Sequence, residues 1–174
     1  MKSLIATLWR ICLLRAGPQD LPYSPPLART LVIVLVGLHL IAVQWLDGKD
    51  GAMTLALFSL ALLLGAPWLL LSWRDRAQRY AQTISAFAGA ALIFNLILLP
   101  VQLIMGDLPA PGSNVLPTGL QVASVFFMLG LLAWSLSVSG HIWRHALDWP
   151  KAGGVLLALG LFVLEIGLAR LLSA

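Results

Sequence analysis

Residues Trp134 to Pro150 read WSLSVSGHIWRHALDWP. The stretch begins as the end of a long apolar run and finishes in a polar, aromatic and basic cluster. Ser135, Ser137, Ser139, His141, Arg144, His145 and Asp148 crowd into it, in a chain where charge is scarce. An apolar helix that closes on tryptophan and arginine is leaving a bilayer, because amphipathic rings and cations prefer the membrane–water interface. The expected fold class follows: an all-α, polytopic membrane protein.

The rest of the sequence agrees. Of 174 residues, 60% are hydrophobic and 10% charged, against about 25% charged in soluble domains. So much apolar surface needs lipid as its solvent. The apolar residues run continuously instead of alternating, which argues against a β-barrel. The net charge of +4 is spread over short loops, a pattern of topology control and not of a nucleic-acid partner. A single cysteine, Cys12, leaves no intramolecular disulfide and no cysteine-based zinc site. It reads as a small apolar residue more readily than as a lipidation site.

Five apolar spans are expected: about Thr30–Leu46, Ala52–Trp73, Tyr80–Met105, Gly119–Trp143 and Ala152–Leu172. The first is short for a hydrocarbon core of ~30 Å. Pro100 falls inside the third, so a kink or an early end near Leu99 is expected. Ahead of the spans, residues 1–16 suggest an interfacial amphipathic helix, with Ser3, Thr7 and Arg10 on one side and Leu4, Leu8, Ile11 and Cys12 on the other. Arg10 and Arg15 interrupt its apolar run, unlike a signal peptide. Burial against the bundle is the competing placement. Residues 17–29 form a proline-rich elbow, and 30–174 the five-helix bundle.

Basic residues assign the sides. Lys2, Arg10, Arg15 and Arg29 precede the first span, Arg74, Arg76 and Arg79 follow the second, and Arg144 and Lys151 follow the fourth. Only Lys49 and Arg170 fall on the opposite side. The N-terminus is therefore expected in the cytoplasm and the C-terminus outside. Arg74, Arg76, Arg79 and Arg144 would fix topology and touch lipid headgroups. Trp45, Trp73, Trp143 and Trp149 sit at span ends as interfacial anchors.

Two groups of residues could carry chemistry. His141 and His145 are four apart on a helix and so share a face, a placement suited to headgroup contact or, less readily, to a metal, since a third protein ligand is missing from the pattern. Ser135, Ser137 and Ser139 each suit a bond back to a carbonyl one turn earlier. The second group is intramembrane. Counted from the centres of their spans, His39, Asn95 and Glu165 all lie within about 5 Å of the midplane, on its outer side. A carboxylate facing lipid there costs ~2.5 kcal/mol or more. Glu165 should therefore face the bundle, neutral or paired with His39, while Arg170 reaches outward to the interface. The second and fourth spans bring almost nothing polar to this depth. That favours a polar clamp between helices over a proton or ion relay.

Asp20-Leu21-Pro22-Tyr23-Ser24-Pro25 ahead of the first span, with five short-looped spans and a cytoplasmic N-terminus, resembles the Yip1-type family of small integral membrane proteins, whose motif is DLYGP-like. Proline is inserted here and serine replaces glycine. The resemblance implies a non-enzymatic membrane protein of the bacterial inner membrane, without cofactor or catalytic residues. The expected function is an interaction, assembly or organising subunit, its partners the bilayer and another membrane protein or a second copy. Small residues at Gly65, Ala66, Ala86, Gly89, Ala90, Gly153, Gly154 and Gly160 support close helix packing. The alternative is a small transporter or proton-coupled component using the His39, Asn95 and Glu165 cluster.

Overall fold

Ser3 starts the first helix: its hydroxyl accepts from the Ala6 amide, 3.2 Å away, satisfying one of the free N–H groups of a helix start. The computed structural model describes residues 3–42, 52–105 and 116–172. Six α-helices run through them: α1 (Leu4–Cys12), α2 (Pro25–Ala42), α3 (Ala52–Trp73), α4 (Tyr80–Met105), α5 (Gly119–Leu147) and α6 (Lys151–Leu172). Single 3-10 turns at Pro18–Asp20 and Ala77–Arg79 join α1 to α2 and α3 to α4. No strand occurs among the described residues.

Three helical segments are long and apolar enough to cross a membrane: Ala77–Ile104, Gly119–Leu147 and Lys151–Leu168. Pro25–Ile41 and Leu57–Trp73 are shorter apolar helical segments. The chain thus has the helices of a membrane protein, and three of the five expected spans meet the crossing length. Two boundaries move. α2 begins at Pro25, five residues before the expected start at Thr30, because proline is tolerated in the first turn of a helix, where the N–H has no partner to lose. Pro100 does not end its helix, which continues to Met105. The turn DGKDG (47–51) and residues 106–115 lie outside the described residues, as does Trp45.

α1 docks on the bundle. Thr7, Leu8, Ile11 and Cys12 are buried while Ile5 and Trp9 stay exposed. Thr7, expected on the polar side, is on the buried side, its hydroxyl turned back to the Ser3 carbonyl. Leu8, Ile11 and Cys12 join Ala86 and Ala90 of α4 and Val138 and Ile142 of α5 in one core cluster. Polar side chains from the long helices tie down the carbonyls that follow α1. Trp134 Nε1 donates to Cys12 at 2.8 Å, His141 Nε2 to Ala16 at 3.0 Å, and Gln82 Nε2 to Leu21 at 2.7 Å. The segment between α1 and α2 is therefore part of the packed structure.

α5 and α6 form the closest pair. A Cβ on Gly154 would overlap the Gly140 carbonyl oxygen and lie 2.9 Å from the Arg144 nitrogen, so glycine at both positions lets the backbones meet. Their ends pack with Leu71 of α3 in a second cluster that includes Trp143, Ala146, Leu147 and Ala158. Trp143 is thus a core residue, 3% exposed, and not the interfacial anchor its position suggested. It meets Phe87 of α4 with ring centroids 5.0 Å apart. Trp73 remains exposed.

Candidate functional site

A cavity of about 410 Å³ lies between the helices, with walls from α2, α3, α4, α5 and α6, and a second of about 400 Å³ lies among Arg29, Leu64 and Tyr80. The lining of the first is mostly apolar, including Leu35, Leu60, Ala91, Leu132, Leu136, Trp143 and Phe162. The polar exceptions are His39, Ser59, Asn95, Ser135, Ser139 and Glu165. Among the described residues no lysine or arginine lines it. The three residues that the depth count put at one level, His39, Asn95 and Glu165, come from α2, α4 and α6 and face the same space.

Their partners differ from the expected ones. Glu165 is hydrogen-bonded by the Ser59 hydroxyl of α3, and not by His39. Ser59 Oγ donates to Oε1, a side-chain bond that joins α3 to α6. Asn95 turns one N–H to the carbonyl of Ala91 in its own helix, at 2.8 Å. Ser135 and Ser137 behave as expected of membrane serines, donating to Leu132 and Ala133 at 2.8 Å each.

The expectation that the second span brings almost nothing polar to this depth is corrected by Ser59, while the fourth span adds its serines at another depth. Ser59 comes from α3, and Ser135 and Ser139, one turn apart, come from α5. The same depth count finds Ser59 once serines are included: it lies three to four residues from the centre of α3, about 5 Å to the outer side, level with Glu165. Ser135 and Ser139 lie beyond the centre of α5, on its other half. The polar lining thus follows the helix axes and is not confined to one plane.

The histidine pair lies elsewhere. The rings of His141 and His145 meet edge to face, centroids 4.5 Å apart. His141 holds the Ala16 carbonyl, and Gln19 Nε2 lies 3.3 Å from His145 Nδ1. Both thus latch the chain after α1 onto α5. Among the described residues no three His, Cys, Asp or Glu side chains come together as a metal site.

The arginines between α3 and α4 also find protein partners. Arg76 and Arg79 both pair with Asp148, Arg79 at 3.1 Å. Arg79 also donates to the carbonyls of His145 and Ala146, at 3.2 and 3.4 Å. These are free carbonyls at the negative end of a helix, where a cation is stabilising. Asp148 ends α5 in the left-handed conformation, φ 51°, which aspartate adopts more readily than most residues. Arg74 stacks near Trp149, 5.4 Å from the ring centroid. Arg144 lies at the α5–α6 crossing, its Cβ 3.0 Å from where a Gly154 Cβ would stand.

Cys12 is fully buried. Burial pushes its thiol up to about 11 from an ordinary value of 9.0, a backbone hydrogen bond opposing the shift in part. A thiol so poised is a packing residue.

No protein-family model matches the chain, and no curated protein or solved structure matches it either.

Proposed function

We propose that the chain is a non-enzymatic integral membrane protein of five crossings that takes a small, largely apolar molecule into the cavity between its helices, as a carrier would. The observation that carries this reading is the cavity itself. Its volume of about 410 Å³ and its apolar walls with few polar groups match the usual character of small-molecule sites. The expectation of a polar clamp rested on two helices bringing almost nothing polar to the depth of Glu165; Ser59 of α3 at that depth, with Ser135 and Ser139 further along α5, supports a polar-lined cavity beside it. The distribution of basic residues supports a cytoplasmic N-terminus and an outside C-terminus, and a bacterial inner membrane fits this arrangement. The proposal is independent of the Yip1-type resemblance.

The test is equilibrium binding of 1-methyladamantane to the protein in lipid nanodiscs, with empty nanodiscs as the baseline. Saturable binding is expected, and Ala91→Phe, which puts a ring into the cavity wall, should abolish it. A folded Ala91→Phe protein that binds the probe undiminished would refute the cavity as the site.

A second reading, a subunit that assembles with another copy or another membrane protein, draws on α6. Gly160 and Gly167 have nothing within 4 Å of an added Cβ, and Leu156 and Val163 beside them are well exposed. Cross-linking in membranes through cysteine at Leu156 would give a defined oligomer under this reading and only monomer otherwise.

A further inference from the structure

We propose that the cavity selects a lipophilic primary amine, with the ammonium group on the Glu165 carboxylate and the hydrocarbon body against the apolar wall. This rests on the cavity being a ligand site. A carboxylate offers about four lone-pair positions, and Ser59 fills one at Oε1. The Ser59 hydroxyl is committed to that bond. The Ser135 hydroxyl is committed to the Leu132 carbonyl, and one of the two Asn95 N–H groups to the Ala91 carbonyl. They leave acceptors facing the cavity, namely the second carboxylate oxygen of Glu165, the amide oxygen of Asn95, and the hydroxyl oxygens of Ser59 and Ser135, beside the remaining Asn95 N–H and the His39 and Ser139 side chains.

Charge points the same way. Among the described residues Glu165 is the one carboxylate in the lining, and no lysine or arginine lines the cavity. His39 is the other titratable side chain there among the described residues, and Ser59, not His39, holds Glu165. An amine beside Glu165 gives an ammonium–carboxylate pair whichever of the two held the proton beforehand, and such charge-assisted bonds are the strong ones. A primary ammonium brings one positive charge and three N–H donors, and no acceptor that would compete. An anion would meet Glu165 as a like charge. A neutral hydrocarbon would fill the volume but leave the acceptors without donors.

The experiment compares two probes of one shape, 1-aminoadamantane and 1-methyladamantane, in which an ammonium replaces a methyl group. Both are titrated against the protein in nanodiscs, with empty nanodiscs subtracted. The amine should bind at least tenfold more tightly. Glu165→Gln should erase that preference, and Glu165→Asp, which keeps the charge, should retain most of it; thermal unfolding without probe checks that each variant folds. Equal affinities, or a tighter hydrocarbon, would overturn the amine assignment and leave the cavity reading standing. A preference that survives Glu165→Gln would overturn the role of Glu165. Failure of both probes to bind would overturn the cavity reading and this inference with it.

Discussion

Ser59 and Glu165 form the polar contact between α3 and α6. Removing the hydroxyl leaves a carboxylate oxygen without its donor in a place where water is scarce. Ser59→Ala should therefore lower stability by about 1–2 kcal/mol, since hydrogen bonds to charged groups are worth ~1.5–3 kcal/mol in water-soluble proteins and about 0.6 on average within membranes. Unfolding in graded SDS would measure it, and an unchanged midpoint would mean that the bond contributes nothing. Cys12 gives a pH prediction. Its folded value of about 11 lies above the ordinary 9.0, so between those two pH values the folded protein keeps a proton that the unfolded chain has lost. Stability from this group is complete below pH 9 and falls as pH rises through 11. Maleimide at pH 7.5 should leave Cys12 unmodified in the folded protein, and Trp134→Phe, which frees the Cys12 carbonyl, should speed its labelling. The residues of highest desolvation cost were legible in the sequence, because His39, Asn95 and Glu165 are conspicuous in apolar helices. The serines were less so: a hydroxyl can satisfy itself on its own helix, as Ser135 and Ser137 do, and nothing in the sequence marks Ser59 as the one that crosses to another helix.

At the scale of elements, the closest helix contact depends on two glycines. Gly154→Ala drives a methyl group into the Gly140 carbonyl, a backbone atom that cannot turn aside. Overpacking of this kind costs typically 1–3 kcal/mol, and Gly154→Ala should lose about that in SDS unfolding. Gly65 and Gly160 have open space around them. Gly65→Ala should be neutral or slightly stabilising, by up to ~1 kcal/mol, since alanine is the better helix former. The end of α5 is held differently, by Arg76 and Arg79 on Asp148. With Asp148 about half exposed, Asp148→Ala should cost no more than about 1 kcal/mol, weakened further by salt. Helix spans were readable because hydrophobic runs declare their length, and α3 and α4 match their expected limits. Basic residues were readable as topology signals but not as a cap: Arg79 and Asp148 are 69 positions apart, and their meeting depends on how α3, α4 and α5 pack. The burial of Trp143 has the same origin, since a tryptophan near a span end looks alike whether it faces lipid or Leu71.

Over the whole molecule, α1 and the chain after it close against α4 and α5, and a cavity lined by His39, Asn95 and Glu165 opens among α2 to α6. The N-terminal segment is fastened by carbonyls that accept from Trp134, His141 and Gln82. Backbone carbonyls carry no sequence signal, so the docking of α1 was one of two placements its narrow polar face allowed. The cavity has a related origin. Its walls are ordinary lipid-like side chains, and only the three-dimensional arrangement leaves space between them. The central claim is that this space, bounded by His39, Asn95 and Glu165, accepts a small molecule. The most direct measurement is the anomalous scattering of bromine from crystals of the protein grown from lipid and soaked with 1-bromoadamantane. The account predicts a bromine peak inside the bundle, among Leu132, Ala91 and Phe162. A bromine signal found only on the lipid-facing surface of α6, with none between the helices, would contradict it.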